Sequence, residues 1–273
     1  MSTFRAACVQ LRSSDDVAEN IRAASDLIRE ARAKGADFIA TPENTTLMAA
    51  DGGAKLEKTF GEEADPALPA FRALAEELGA WLLIGSLAIK TDAAKTANRS
   101  FLIDPKGRIA ARYDKIHLFD TDPGSGESYR ESNTVAGGHR AVAADLPWGK
   151  LGMTICYDLR FPRLYRRLAK AGAFMLSVPS AFTETTGKAH WHLLLRARAI
   201  ENGAFVIAPA QGGIHANGRA TYGHSLIVAP WGEILAEAGT EPGVILAEID
   251  PAAITSARSR VPSLTHDRDF EGP

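Results

Sequence analysis

The chain runs twice through one order of apolar segments, and this repetition limits the folds open to it. The first half reads β-α-β-α-β-β-β and the second β-α-β-α-β-β-β-β. Residues 4–11 and 36–41 are short buried-strand runs. Between them Val17, Ile21, Ala24, Leu27, Ile28 and Ala31 recur at helical spacing, with Ser13 or Ser14 as the cap and Gly35 as the stop. Asp65-Pro66 starts a second helix, whose inner face is Leu68, Phe71, Leu74, Ala75 and Leu78. Strands follow at 81–89, 100–103 and 107–113. The later half offers a strand from Leu151, a helix at 163–171, a strand at 174–178 and a helix at 188–202. Strands at 205–208, 225–228, 234–236 and 244–249 and a last helix at 251–258 complete it. The stretch from Gly52 to Asp65 and residues 120–139 read as loops. If each half supplies one sheet with helices outside it, residues 1–273 form a single α/β domain of four layers, α-β-β-α. The tail, about residues 250–273, is expected to pack on a partner subunit.

Composition excludes several classes. The charges, 31 basic and 33 acidic, give −2, with no basic stretch for nucleic acid. No apolar run reaches the roughly eighteen residues of a membrane span. A strand-like run begins almost at once, leaving no room for a signal peptide, so the cytoplasm is the expected location. The two cysteines, Cys8 and Cys156, suggest no disulfide framework. Cys8, inside the first strand, reads as a small core filler.

Cys156 differs. The run Leu151-Gly152-Met153-Thr154-Ile155 stops at Cys156-Tyr157-Asp158-Leu159-Arg160-Phe161-Pro162. A thiol where a buried strand turns into a helix is well placed for a nucleophile, because the turn can aim N–H groups at a substrate oxygen. With an ordinary pKa of about 8.5 it is a few per cent thiolate at neutral pH, so it needs a base and a nearby cation. Glu43, just past the second strand, can be the base. Lys115, after the strand ending near Tyr113, can be the cation. Taken singly, each has a commoner use: a cap for Glu43, a solvated strand end for Lys115, core packing for Cys156.

Three segments carry a resemblance: Thr41-Pro42-Glu43-Asn44, Tyr113-Asp114-Lys115-Ile116-His117-Leu118-Phe119 and Gly152 to Pro162. In order and suitably separated, they resemble the signatures of the nitrilase superfamily of carbon–nitrogen hydrolases. The likeness extends to Tyr129-Arg130-Glu131-Ser132, Pro179-Ser180-Ala181-Phe182, Arg196 to Glu201 and Tyr222-Gly223-His224-Ser225. It implies Glu43 as general base, Lys115 as oxyanion-stabilising cation and Cys156 as nucleophile. Glu131 is implied as a second glutamate holding Lys115 or the substrate, and the Tyr157 N–H as part of the oxyanion hole. It further implies an α-β-β-α sandwich, homodimers or higher homo-oligomers, and no metal or organic cofactor.

Within the superfamily the amidase branch is the most similar, and the segments around Ser180, Phe182 and Gln211 lean towards deaminated-glutathione amidases over omega-amidases. The reaction implied is hydrolysis of a small carboxylate-bearing amide to acid plus ammonia through a thioester. Arg130 or Arg160 is expected to meet the substrate carboxylate, and Ser180 and Phe182 to stand at the substrate site. Arg160 has a structural alternative, bracing the turn as a partner of Asp158. The stretch Pro123-Gly124-Ser125-Gly126 is expected to reshape the pocket mouth. Two other classes stay open: a Cys–His hydrolase with His117, His190, His215 or His224 as base, and a redox-sensing or ligand-binding protein that uses Cys156 as a switch. His190 and His192, two apart on a helix, point to different faces and are not expected to share a metal.

Overall fold

A computed structural model describes residues 2–124 and 126–272. Its first half runs β1 (Phe4–Gln10), α1 (Val17–Ala33), β2 (Phe38–Ala40), α2 (Gly52–Glu57), α3 (Ala67–Leu78), β3 (Trp81–Lys90), β4 (Thr96–Ile103) and β5 (Ile109–Asp114). A hairpin, β6 (Asp120–Gly124) with β7 (Glu127–Arg130), leads onward. The second half runs β8 (Val142–Leu146), β9 (Gly149–Met153), α4 (Pro162–Lys170), β10 (Ala173–Ser177), α5 (Glu184–Asn202) and β11 (Phe205–Ala208). Then come β12 (Gly212–Ile214), β13 (Ala220–Tyr222), β14 (Leu226–Val228), β15 (Ile234–Glu237), β16 (Gly243–Ile249) and α6 (Ala252–Arg260).

Among the described residues these make two six-stranded sheets, ordered β16-β1-β2-β3-β4-β5 and β15-β14-β11-β10-β9-β8. The middle of each sheet is parallel, because helices serve as the crossovers. The last strand does not stay with its own half. β16 pairs antiparallel with β1, Phe4 opposite Ile249, and so stitches the two halves together.

Strand alternation sets the layers. In β1, Phe4, Ala6 and Cys8 join the core shared with the second sheet, while Ala7 and Val9 join Ala24 and Ile28 of α1 and Phe71 and Leu74 of α3. The second sheet is covered by α4 and α5 through Leu164, Tyr165, Leu168, Trp191 and Leu195. The result is the expected α-β-β-α sandwich. Cys8 is fully buried, as a core filler should be.

Several local expectations change. Asp16, not Ser13 or Ser14, caps α1, its carboxylate accepting from the Glu19 N–H at 2.9 Å. Ser13 is engaged elsewhere, donating to the Thr45 carbonyl at 2.9 Å. The expected loop after Gly52 contains α2, capped by Asp51. Six residues are too few for helical periodicity to show. The expected loop at 120–139 holds the β6–β7 hairpin and a 3-10 turn, Glu131–Asn133. Of its glycine-rich stretch, Ser125 lies outside the described residues. The strands β8, β12 and β13 carry too little apolar pattern to be found. The tail docks first on its own chain: Arg166 of α4 donates to the Ser263 carbonyl at 2.6 Å and pairs with Asp267 at 2.5 Å.

One glycine decides how the two sheets meet at the site. Gly85 lies where the β3–β4 register shifts. A Cβ there would stand 2.0 Å from the Thr41 carbonyl oxygen, 2.5 Å from that of Pro42 and 2.6 Å from Pro179 Cβ. The chain on either side of this contact leads to Glu43 and to Ala181. Gly85→Ala is expected to lower the unfolding free energy by about 1–3 kcal/mol, read as a shifted urea midpoint. It should also lower turnover, because the first atoms to move are those that carry Glu43.

Candidate active site

Glu43, Lys115 and Cys156 each follow the end of a strand, β2, β5 and β9 respectively, the first two in one sheet and the third in the other. They converge. Lys115 Nζ lies 2.9 Å from Glu43 Oε1 and 2.8 Å from Glu131 Oε2. Its side chain is 2 % exposed. An ammonium taken from water at a cost of several kcal/mol is tolerable only between such partners. Asn98 of β4 donates to both carboxylates, at 2.9 Å to Glu43 and 3.1 Å to Glu131. The Ala181 N–H takes the other oxygen of Glu43 at 2.9 Å, and the Phe119 N–H meets Glu131 at 2.7 Å.

Cys156 sits at φ 48°, in the left-handed region that non-glycine residues rarely enter. Its N–H is tied to the Pro179 carbonyl at 2.9 Å. The thiol lies close enough to the Glu43 carboxylate and the Lys115 ammonium to feel both charges. From Cys156 the chain turns as a 3-10 helix to Arg160 and then enters α4, so the expected strand-to-helix turn is present with an extra tight turn inserted. No backbone carbonyl among the described residues takes the Tyr157 N–H.

These contacts set the protonation states. Burial pushes the Glu43 carboxyl up, but the charge and hydrogen bond of Lys115, with bonds from Cys156 and Asn98, outweigh it and hold the pKa at about 2. Burial alone would lower Lys115, yet Glu131 and Glu43 keep it well above the usual lysine value. Burial and then the Glu43 charge push the Cys156 thiol far up, against the pull of Lys115. The resting set is therefore a neutral thiol, two carboxylates and an ammonium.

The site opens into a cavity of about 720 Å³, lined by Tyr157 and Phe182 among others. The other expected contacts do not reach it as foreseen. Ser180 is fully buried, its hydroxyl spent on the Val178 carbonyl at 3.0 Å, and it does not line the cavity. Arg130 lines the wall, but its guanidinium is held by Asp122 at 2.8 and 3.1 Å. Arg160 does not line the cavity; it lies over the rings of Phe182 and Tyr157, with His190 at 3.3 Å. Nor does it brace Asp158. That buried carboxylate is taken by the Tyr113 hydroxyl at 2.6 Å, His117 Nδ1 at 2.7 Å and the Ile155 N–H at 2.9 Å.

No described histidine lines the cavity. His117 serves Asp158, His190 meets Arg160, His215 bonds Ser13 and Thr221, and His224 bonds Glu237. The Cys–His alternative thus has no base. His192 does not share partners with His190; it meets Glu237, 2.9 Å away, beside His224. Three residues of the site escaped the sequence reading: Asn98, buried behind the two carboxylates, and Lys55 and Arg219, which line the cavity. Asn98 lies within a strand, where nothing marks it, and Lys55 and Arg219 lie on α2 and the β12–β13 hairpin, elements the pattern did not reveal.

Residues 5–259 match the family model described as carbon-nitrogen hydrolase. The chain belongs to that family. It is 42 % identical over 274 residues to a protein of Synechocystis sp. named deaminated glutathione amidase, covering 97 % of this chain and 98 % of the relative. Among solved structures it is similar to the C. elegans NitFhit protein, at TM-score 0.91 and 36 % identity, covering 98 % of this chain and 66 % of that longer one. It is also similar to a glutamate-to-glutamine mutant of the amidase from Nesterenkonia sp. AN1, at TM-score 0.83 and 25 % identity over 97 % of this chain and 94 % of that one. In that structure the acetamide moiety of fluoroacetamide has added covalently at the active-site cysteine.

Two titrations check the electrostatics of this carbon–nitrogen hydrolase. The difference in 240 nm absorbance between the wild type and Cys156→Ala should show no thiolate at pH 7; a thiolate step near neutrality would contradict the packing. For Glu43 the folded pKa, about 2, lies below the unfolded value of about 4.3. Its contribution to stability is therefore complete above about pH 5 and lost as pH falls through 4 towards 2. The gap in urea midpoint between wild type and Glu43→Gln should narrow from pH 7 to pH 3.

Proposed function

We propose that this hydrolase cleaves a small carboxylate-bearing amide by cysteine catalysis, in the manner of a deaminated glutathione amidase. The observation that carries the reading is the buried contact of one ammonium with two carboxylates at the cavity that Cys156 also lines. As the substrate carbonyl approaches, Glu43 takes the thiol proton and the sulfur bonds to the carbonyl carbon. Lys115 and the Tyr157 N–H face the oxyanion that forms. Glu131 keeps Lys115 charged and aimed. The tetrahedral species collapses, the C–N bond breaks, and the leaving nitrogen takes the proton held by Glu43. A primary amide releases ammonia; an N-substituted amide such as deaminated glutathione releases the amine of cysteinylglycine. Water then gives a proton to Glu43 and its oxygen to the thioester carbon, the C–S bond breaks, and Glu43 returns the proton to sulfur.

The name of the Synechocystis relative supports the amide class, and the cysteine adduct in the Nesterenkonia relative supports the covalent step. An omega-amidase acting on α-keto acid amides uses the same chemistry and is the alternative substrate reading. A redox-switch role fits less well, because sensor cysteines are exposed and have depressed pKa values, whereas Cys156 is buried and pushed up. A cytoplasmic homodimer completes the proposal. Leu193 and Ile200 of α5 and Val261 beyond α6 are exposed apolar residues suited to a second copy.

Cys156→Ala should fold normally and lose amide hydrolysis by about ten-thousand-fold or more. Mass spectrometry of the wild type quenched during turnover should show an acyl adduct on the Cys156 peptide. Full turnover by the alanine variant would refute the nucleophile. A panel of deaminated glutathione, α-ketoglutaramate and simple nitriles ranks the substrates, and turnover of nitriles alone would remove the amidase reading.

A further inference from the structure

The cavity holds more positive charge than its reaction centre uses. Glu43, Lys115 and Glu131 together carry −1 and satisfy one another. Besides Arg130, which Asp122 neutralises, two further cations line the same cavity, Lys55 and Arg219, and neither is in an ion pair among the described residues. Lys55 Nζ donates to Asn44 Oδ1 at 2.8 Å, a neutral acceptor that leaves two of its three N–H groups free. Arg219 Nη2 donates to the Ala181 carbonyl at 2.9 Å, Nη1 has only Met48 Sδ at 3.9 Å, and Nε is buried with no partner. Asp51, also at the cavity, is an exposed residue whose carboxylate caps α2.

The two cations are held by built structure rather than by loose loops. Lys55 projects from α2. Arg219 comes from the turn into β13, with its guanidinium 5.1 Å from the Tyr129 ring centre. Asn217 ties that hairpin to the α2 approach by donating to the Ala49 carbonyl at 2.8 Å. Burial lowers the affinity of Lys55 for a proton; the charges of Glu131 and Glu43 oppose this, and those of Lys115 and Arg219 add to it. Two like charges turned into one partly buried cavity are unfavourable until an anion joins them.

We propose that Lys55 and Arg219 form the subsite that takes a carboxylate of the substrate. This rests on the amidase reading and replaces Arg130 and Arg160 in that role. Each cation is anchored one residue from the reaction centre. The bond partner of Lys55 follows Glu43 in the chain, and the bond partner of Arg219 is the residue whose N–H holds Glu43. The carboxylate therefore binds within a few bonds of the scissile carbonyl, on the acyl side, as in a monoamide of a short dicarboxylic acid. The leaving amine has the rest of the cavity. The full lining holds four cations, Arg130 included, and three carboxylates, Asp51 included, so one added carboxylate brings it from +1 to neutral.

The test compares glutaramate with pentanamide, which match in length and differ in the carboxylate. The ratio of their kcat/KM values should fall roughly tenfold to a hundredfold in Lys55→Met and in Arg219→Gln, chiefly through KM for glutaramate. Lys55→Arg should keep most of the ratio. Lys58→Met, which removes an exposed lysine three residues on, should leave it within about twofold. An unchanged ratio in Lys55→Met and Arg219→Gln, or an equal fall for both amides, would overturn the subsite. If the wild type hydrolyses neither amide, the amidase reading fails separately. Calorimetry with glutarate then decides the subsite: binding to the wild type that is lost in both variants supports it, and no binding overturns it.

Discussion

The arrangement depends on one buried ammonium. Lys115 cannot sit in this interior without two carboxylates, and those carboxylates come from different stretches of chain: the end of β2 and the 3-10 turn after β7. Satisfying it forces the first sheet and the hairpin together. The Ala181 N–H, from the segment after β10, then joins the second sheet to the same cluster through Glu43. Removing one member would strand the others, and a stranded buried charge costs about 3–5 kcal/mol. The cluster is thus both the proposed reaction centre and a fastening between the sheets. Asn98 shares one amide between the two carboxylates, and its own oxygen is left buried without a partner. That unmet acceptor marks a site where position is held at some expense of stability.

Backbone geometry at Cys156 serves the same end. The left-handed φ turns the thiol out of the strand direction towards Glu43 and leaves the Tyr157 N–H unspent. Asp158 fixes this strained turn from behind. It collects the Tyr113 hydroxyl from β5, the imidazole and backbone N–H of His117 just beyond β5, and the Ile155 N–H from its own turn. Strain of this kind persists only where the surroundings over-determine it. Here the over-determination is visible as four bonds on one carboxylate.

The sequence made part of this legible and hid the rest for physical reasons. Strands such as β1 and β3 and helices such as α1 and α3 declare themselves by period, because each buries one or both faces. Glu43, Lys115 and Cys156 stand out because charged or reactive residues follow apolar runs directly. Arg160 meets neither the cavity nor Asp158, because a two-residue offset in a tight turn sends the two side chains apart and carries the guanidinium over Phe182 and Tyr157. Lys55 and Arg219 were hidden more deeply. A six-residue helix and a three-residue strand bury too little apolar surface to impose a pattern, so their side chains look like ordinary solvated charges. Walls of a pocket are often built from such short elements, since function there constrains charge and shape more than burial. Reaction centres at strand ends are accordingly easier to read than the surfaces that select a substrate.

The charge pattern also explains why the thiol rests protonated. A preformed thiolate beside Glu43 would put a second anion against a carboxylate whose compensating lysine is already shared. In the proposed mechanism the proton moves from sulfur to Glu43 as the carbonyl is attacked, so the negative charge of Glu43 disappears while another appears on the substrate oxygen. The cluster carries −1 before and after. Lys115, released from part of its attraction to Glu43, is free to attract the new oxyanion instead. A charge-conserving shift over a short distance asks little reorganisation of a dry interior, where any net change would be strongly opposed. In that mechanism the same depressed Glu43 that stabilises the resting fold would hold a proton only as the oxyanion grows and draws Lys115 away, so the proposed proton transfer and bond formation are coupled through the ammonium between them.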